Sequence, residues 1–217
     1  MAEDEVVLNE EACYERLRDD IRNGVLMPNE RLVEMDLAKS LNAGRAAVRT
    51  ALARLEQEGL VERERYRGAR VRLVSEAEAA EILEVRAAVE CVTVRHAAIN
   101  ATPEDDRVLE QIVDELDEHY RANDLLKYSD CNARLHRTLI TMARHTTAAK
   151  VLDTLNSQSV RFQYRTILAK GRPERSLAEH KAIVRGVINR DPDEAEFAMR
   201  QHLAGVLGAL QDLDSRM

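Results

Sequence analysis

Apolar residues recur every three or four positions along most of the chain, the spacing of a helix that buries one face. Residues 9–23 place Ala12, Leu17 and Ile21 near that spacing, and Gly24 follows as a stop signal. After a turn containing Pro28, Glu34–Leu41 predicts a short helix with Leu37 and Leu41 at i,i+4. Asn42-Ala43-Gly44 joins it to a second helix from Arg45 to about Gln57, where Val48, Leu52 and Leu55 form a buried stripe with Ala51 beside it. Two short helices joined by three or four residues that include Gly make a helix-turn-helix. Over residues 60–74 the period drops to two around Tyr66-Arg67-Gly68, which predicts a hairpin and is the one convincing β signal.

Beyond Ser75 the helical period returns in long runs, predicting helices at about 76–100, 103–122, 124–143, 147–169, 174–190 and 192–214. Two of the starts are well marked. Thr102-Pro103-Glu104-Asp105 and Asp191-Pro192-Asp193-Glu194 each offer a cap residue, Pro at the first helical position and an acid three residues after the cap. The division falls near Val74–Glu76, giving a domain over residues 1–75 and a second over 76–217. The fold class predicted is mainly α, with an N-terminal helix-turn-helix and hairpin followed by an antiparallel bundle of about six helices.

Composition supports a packed helical protein. The chain has 217 residues, 45% of them hydrophobic and only 3% aromatic, with no Trp, 8 Gly and 4 Pro, so its core is built from Ala, Leu, Val and Ile. Collagen-like, disordered and many-stranded β architectures are thereby disfavoured. No apolar run approaches the roughly 18 residues of a membrane span, and the acidic start MAEDEVVLNEE is unlike a signal peptide; a cytoplasmic protein without a membrane partner is expected. Cys13, Cys91 and Cys131 are an odd count without a CxxC pair, and read as small core residues.

Net charge is -7, which taken whole disfavours a nucleic-acid partner. By segment the picture reverses: residues 39–72 carry nine basic side chains against four acidic ones, whereas residues 76–217 carry 19 against 24. Arg45 and Arg49 lie at i,i+4 on one face of the second short helix while Val48 and Leu52 point to the other side. A helix that reads the major groove needs this arrangement, with its apolar face held and its guanidinium groups free for phosphates or guanine edges. The hairpin adds Arg63, Arg65, Arg67, Arg70 and Arg72, with Tyr66-Arg67-Gly68 at its tip. A plain solvated surface is the alternative for those five.

The order of these features resembles the winged helix-turn-helix domain of the GntR family of bacterial transcription regulators over residues 12–73. The resemblance is carried by Ile21, Gly24, Pro28, Arg31-Leu32, Leu37-Ala38, Leu41, Arg45, Val48-Arg49, Ala51-Leu52, Arg54-Leu55-Glu56, Glu58-Gly59-Leu60-Val61 and Arg67-Gly68-Ala69. It implies double-stranded operator DNA as partner, contacted from Gly44, Arg45, Ala46, Arg49 and Thr50 on the recognition helix and from Arg67 and Gly68 on the wing. Gly44 stands where the family has Ser or Thr, Ala47 where Pro is common and Thr50 where Glu is usual, so operator preference is open while the docking mode should hold.

Among six histidines, three stand out. Asn132-Ala-Arg-Leu-His136 sets an amide and an imidazole one turn apart, and His180 and His202 each interrupt an apolar stripe. Three buried imidazoles converging in a bundle interior would suit a divalent cation. Arg86 lies beside Ile82, Val85, Val89 and Val92, read as a buried stripe, with Glu90 one turn on as an i,i+4 partner. The segments LEVRAAVE, NARLH, EHKAIV and NRDPDEAEFAMRQHL together resemble the all-helical FCD effector-binding domain of the FadR-like branch of the GntR family, over about residues 77–214.

That resemblance implies a Zn²⁺, Ni²⁺ or other transition-metal ion on Asn132, His136, His180 and His202, facing a cavity for a small organic acid. It also implies a homodimer, and a repressor released from its operator by the effector. Asn132 replaces a usual Asp, and a metal-free polar cavity is the alternative. For Arg86 two readings stand side by side, an effector clamp and a structural partner of Glu90. Gln158, Arg161 and Arg165 are candidates for the same cavity on helical spacing alone. Competing function classes are a metal-dependent enzyme, a structural adaptor and a regulator that senses the metal itself. No HExxH, GxSxG or glycine-rich phosphate loop supports the enzyme.

Overall fold

A computed structural model of the chain describes residues 7–64, 68–167 and 169–214, without the side chains of 64, 159–164, 213 and 214. The chain divides into two compact units, Met1–Val74 and Ser75–Met217. Among the described residues no helix is long and apolar enough to cross a membrane.

The first unit runs α1 (Glu10–Arg22), β1 (Arg31–Leu32), α2 (Glu34–Ser40), α3 (Arg45–Gln57), β2 (Val61–Glu64) and β3 (Gly68–Val71). The Asn9 side chain caps α1 by accepting from the Ala12 amide. Its buried face is Cys13, Tyr14, Leu17 and Ile21, with Ala12 only half-buried at the edge. That face packs on α3 through Val48, Ala51, Leu52 and Leu55, as the periodicity predicts. Asn42 takes the left-handed φ of 47° in the turn, a conformation Asn tolerates better than most side chains. Strand β3 sits between β1 and β2, all antiparallel. Strand β1 was not expected, because two residues carry no alternation to read; it exists because Leu32 buries against the unit's core and Arg31-Leu32 finds an edge of the hairpin.

The second unit contains α4 (Glu76–Asn100), α5 (Pro103–Arg121), α6 (Leu125–Met142), α7 (Thr146–Ile167), α8 (Arg172–Ile188) and α9 (Pro192–Asp214). Thr102 and Asp105 form a reciprocal capping box with Pro103 inside the first turn of α5, and the Asp191 carboxylate accepts from the amides of Asp193 and Glu194 at the start of α9. Helix α4 packs against α6, α7, α8 and α9. Helices α8 and α9 approach closely at Gly186, where a Cβ would come within 2.6 Å of the Ala195 backbone nitrogen.

The expected stripe on α4 needs correction. Val85 and Val92 are 52% and 44% exposed and Val89 is half-buried, while the interior takes Arg86, Glu90 and Thr93 with Leu83, Cys91, Val94, Ala97 and Ala98. Surrounded by four helices and carrying buried charge on one wall, α4 loses the simple amphipathic period that a surface helix shows.

Candidate DNA-reading face and histidine site

Helix α3 begins at Gly44, whose extended backbone serves as N-cap without a side-chain hydrogen bond. Gly44, Arg45, Ala46, Arg49 and Thr50 are all exposed, while Val48 and Leu52 lie in the core. The basic face of α3 is therefore exposed as the spacing predicts. Gly68, also exposed, opens β3 with φ at 89°; Arg67 and Arg65 lie outside the described residues.

Arg49 is engaged. Its Nε and Nη2 donate to the Glu34 carboxylate at 2.9–3.2 Å, a contact from α3 to the first turn of α2. The Arg49 hydrogen bond holds the Glu34 carboxyl below its ordinary range against some desolvation, and the charges of Arg49, Arg63 and Arg45 act in the same direction. Arg63 pairs with Glu56 and donates to the Arg49 carbonyl, Arg70 pairs with Glu62, and Arg72 donates to the Gly59 carbonyl. A cleft of about 520 Å³ beside α2 and the hairpin is lined by Arg31, Leu32, Glu34, Leu52, Arg63 and Gly68. Glu34 thus sits at the centre of the basic surface, a residue that charge counting over 39–72 left out.

In the second unit, α6, α8 and α9 bring His136, His180 and His202 together, with one ring nitrogen of each within 4.8 Å of the others. Ring centroids are 5.6, 5.3 and 4.4 Å apart, and all three side chains are buried. Each Nδ1 has a neighbour: Glu90 at 2.6 Å from His136, Glu179 at 2.9 Å from His202 and the Ser176 hydroxyl at 3.5 Å from His180. Nε2 of His180 is buried without a hydrogen-bond partner. Burial, then the neighbouring His202, His136 and Arg172 charges, push His180 well below the usual imidazole range; burial, His136 and Arg172 do the same for His202. Two neutral imidazoles keep their lone pairs for an acceptor of electron pairs.

Asn132 lies half-buried one turn ahead of His136 on α6. Arg86, only 5% exposed, donates from Nε and Nη2 to Glu90 Oε1 at 2.8 and 2.7 Å, and its Nη1 is buried without a partner. Burial works to raise the Glu90 carboxyl, but the charges and hydrogen bonds of Arg86 and His136 outweigh it and hold Glu90 far below the usual range. Arg172, buried at the start of α8, donates to Glu179 at 2.7 Å and to the His202 carbonyl at 3.2 Å. Among the remaining expected cavity residues, Arg165 pairs with Glu76 at 2.8 Å, Gln158 is half-buried on α7, and the Arg161 side chain lies outside the described set. Sequence reading missed Glu179, Arg172 and Ser176. Glu179 does precede His180 directly, but nothing local distinguishes it from a surface acid.

The family model for bacterial regulatory proteins of the gntR family matches residues 9–71, and that of the FCD domain matches residues 81–205. The chain belongs to the GntR family, with an FCD domain. This GntR regulator is similar to the HTH-type transcriptional repressor RspR of Escherichia coli K12, with 27% identity over 200 residues, 92% of this chain and 88% of that one. It is also similar to the probable D-xylose utilization operon transcriptional repressor of Paenarthrobacter nicotinovorans, at 26% identity over 88% of this chain and 83% of that one. Among solved structures, E. coli McbR/YncC shares the fold at a TM-score of 0.79 with 17% identity, covering 96% of this chain and 100% of the other. A GntR regulator from Rhodococcus sp. RHA1 does so at 0.71 with 20% identity, covering 94% and 97%. The GntR chain is a DNA-binding transcription regulator and not an enzyme, which corresponds to the basic reading face on its first unit.

Proposed function

We propose that this GntR regulator is a repressor whose hold on its operator is released by a small organic acid bound at a divalent cation in the FCD domain. The observation that carries the reading is the buried, unpartnered Nε2 of His180 beside His136 and His202. A buried polar atom without a partner is costly, and a cation held between the three rings would resolve that cost at His180. The residues fit Zn²⁺ or Ni²⁺, since three clustered imidazoles offer nitrogen donors of suitable softness and Asn132 stands one turn from His136 to offer an amide oxygen. None of these four donors is anionic, so the cation's charge is left to attract a carboxylate. Arg86 serves both readings at once: two of its nitrogens hold Glu90, while Nη1 remains to receive the effector.

Operators read by such helices are near-palindromic, which calls for a symmetric dimer. Val85, Val92 and Ile99 recur every seven residues on the outer side of α4, and Phe197 stands 64% exposed on α9, the helix packed against it. This apolar face is assigned to a second copy of the chain. Sedimentation of Val92→Asp should then show monomer where the parent shows dimer.

The effector reading is tested by equilibrium gel shift on the regulator's own upstream DNA. Zn²⁺-loaded protein titrated with a panel of small carboxylates should lose operator affinity about 5–150-fold for the cognate acid. Protein that takes up no Zn²⁺ or Ni²⁺, or whose DNA affinity responds to metal alone and to no acid, overturns it; the second result would make the metal the signal.

A further inference from the structure

We propose that Glu90 is a positioning residue that sets the tautomer of His136, so that Nε2 of that ring, and not Nδ1, carries the lone pair offered to the cation. The proposal rests on the metal reading above. Its basis is how the two carboxylates beside the histidines divide their oxygens.

Glu90 uses them separately. Oε1 accepts both Arg86 hydrogen bonds, and Oε2 lies 2.6 Å from His136 Nδ1. An ionised carboxylate only accepts, so Nδ1 must hold the ring proton. In a neutral ring the lone pair is then on Nε2. Arg86 completes the arrangement by fixing which oxygen is left for the histidine. A carboxylate behind a ligating imidazole also raises the basicity of the ring.

Glu179 differs in a way that makes the inference testable. Its Oε2 alone accepts from Arg172 Nη1 at 2.7 Å and faces His202 Nδ1 at 2.9 Å. Arg172 Nη2 lies 3.3 Å from the same Nδ1 and donates to the His202 carbonyl at 3.2 Å, so the carboxylate oxygen at 2.9 Å is the nearer partner of the ring. Replacing Glu179 by Gln keeps one oxygen facing both groups. Replacing Glu90 by Gln does not: Arg86, which only donates, claims the amide oxygen, and the amide NH₂ is left against His136 Nδ1. That nitrogen must then accept, and the proton moves to Nε2, the atom the cation needs. Two isosteric substitutions of the same residue type thus have opposite expected outcomes.

Long-range ¹H–¹⁵N spectra of full-length, metal-free protein at mildly alkaline pH report the tautomer of each histidine. The expected result is Nδ1–H for His136 and His202 in the parent, Nε2–H for His136 in Glu90→Gln, and an unchanged His202 in Glu179→Gln. In a chelator competition, Zn²⁺ affinity should fall about 10–100-fold in Glu90→Gln and less in Glu179→Gln. A parent His136 protonated at Nε2, or a folded Glu90→Gln that keeps the parent tautomer, overturns the proposal. Should Glu90→Gln unfold, the parent spectrum decides the same question by itself. Expected tautomers in a parent that binds no Zn²⁺ would support the role of Glu90 while rejecting the cation.

Discussion

Arg49–Glu34 and Arg86–Glu90 are the same chemical pair in opposite settings. The first bridges two helices on the reading face, with side chains 58% and 30% exposed; the second lies inside the helical unit at 6% and 3%. Water competes with the exposed pair and salt screens it, so Glu34 is a partner that an incoming anion can displace. Inside the bundle bulk water does not compete in this way, and Arg86 and Glu90 are bound to one another as part of the core. An arginine on the first unit is available for binding although it is paired, whereas Arg86 is available only through the one nitrogen that Glu90 does not hold.

The sharpest way to break this comparison is to remove one arginine from each pair. Arg86→Ala leaves Glu90 buried with only His136 beside it, and should lower folding stability by about 3–5 kcal/mol in denaturant titrations. Replacing both partners, as Arg86→Met with Glu90→Leu, should recover most of that loss, because neither charge then remains buried. Arg86→Ala is therefore a folding variant before it is an effector variant, and its DNA response is interpretable only where it is shown to be folded.

On the exposed side, the double change Arg45→Ala/Arg49→Ala should leave unfolding unaltered and weaken operator binding tenfold or more in gel shifts at fixed salt, each arginine losing a phosphate or base contact. Unchanged affinity would remove α3 from the interface. A smaller effect is expected at Asn132. A carboxylate adds Coulomb attraction that an amide lacks, so Asn132→Asp should tighten Zn²⁺ binding severalfold in the same competition assay and raise the melting temperature of the loaded protein. The smallest concerns Glu34. Glu34→Gln removes an acid that faces Arg45, Arg49 and Arg63, and should raise affinity for random-sequence DNA a fewfold with a steeper salt dependence. No change in either would mean that the exposed pair is already exchanged freely in solution.

The first unit was readable because its signals are local. The stripe Val48, Leu52 and Leu55, the turn at Asn42–Gly44 and the arginines at 45 and 49 lie within a few turns of one another, and hydrophobic period and reading face specify each other. The three histidines were readable as interruptions of apolar stripes. Their outer partners were not readable. Glu179 and Arg172 look like ordinary surface residues of α8 until α9 meets them, Ser176 until Tyr128 of α6 does, and Val85 and Val92 look like core until α6 to α9 occupy the other sides of α4.

By itself the sequence determined the order of the helices and the hairpin, the basic helix of the first unit and the three histidines that interrupt apolar stripes, because side-chain period, cap residues and local charge are properties of neighbours along the chain. Only the tertiary structure decided that Glu90 divides its oxygens between Arg86 and His136, that Glu179 shares one between Arg172 and His202, and that His180 keeps a nitrogen without a partner. Hydrogen bonding is directional over about 3 Å. Which oxygen meets which nitrogen is fixed by how α4, α6, α8 and α9 pack, and helical periodicity fixes only which side of a helix a residue occupies.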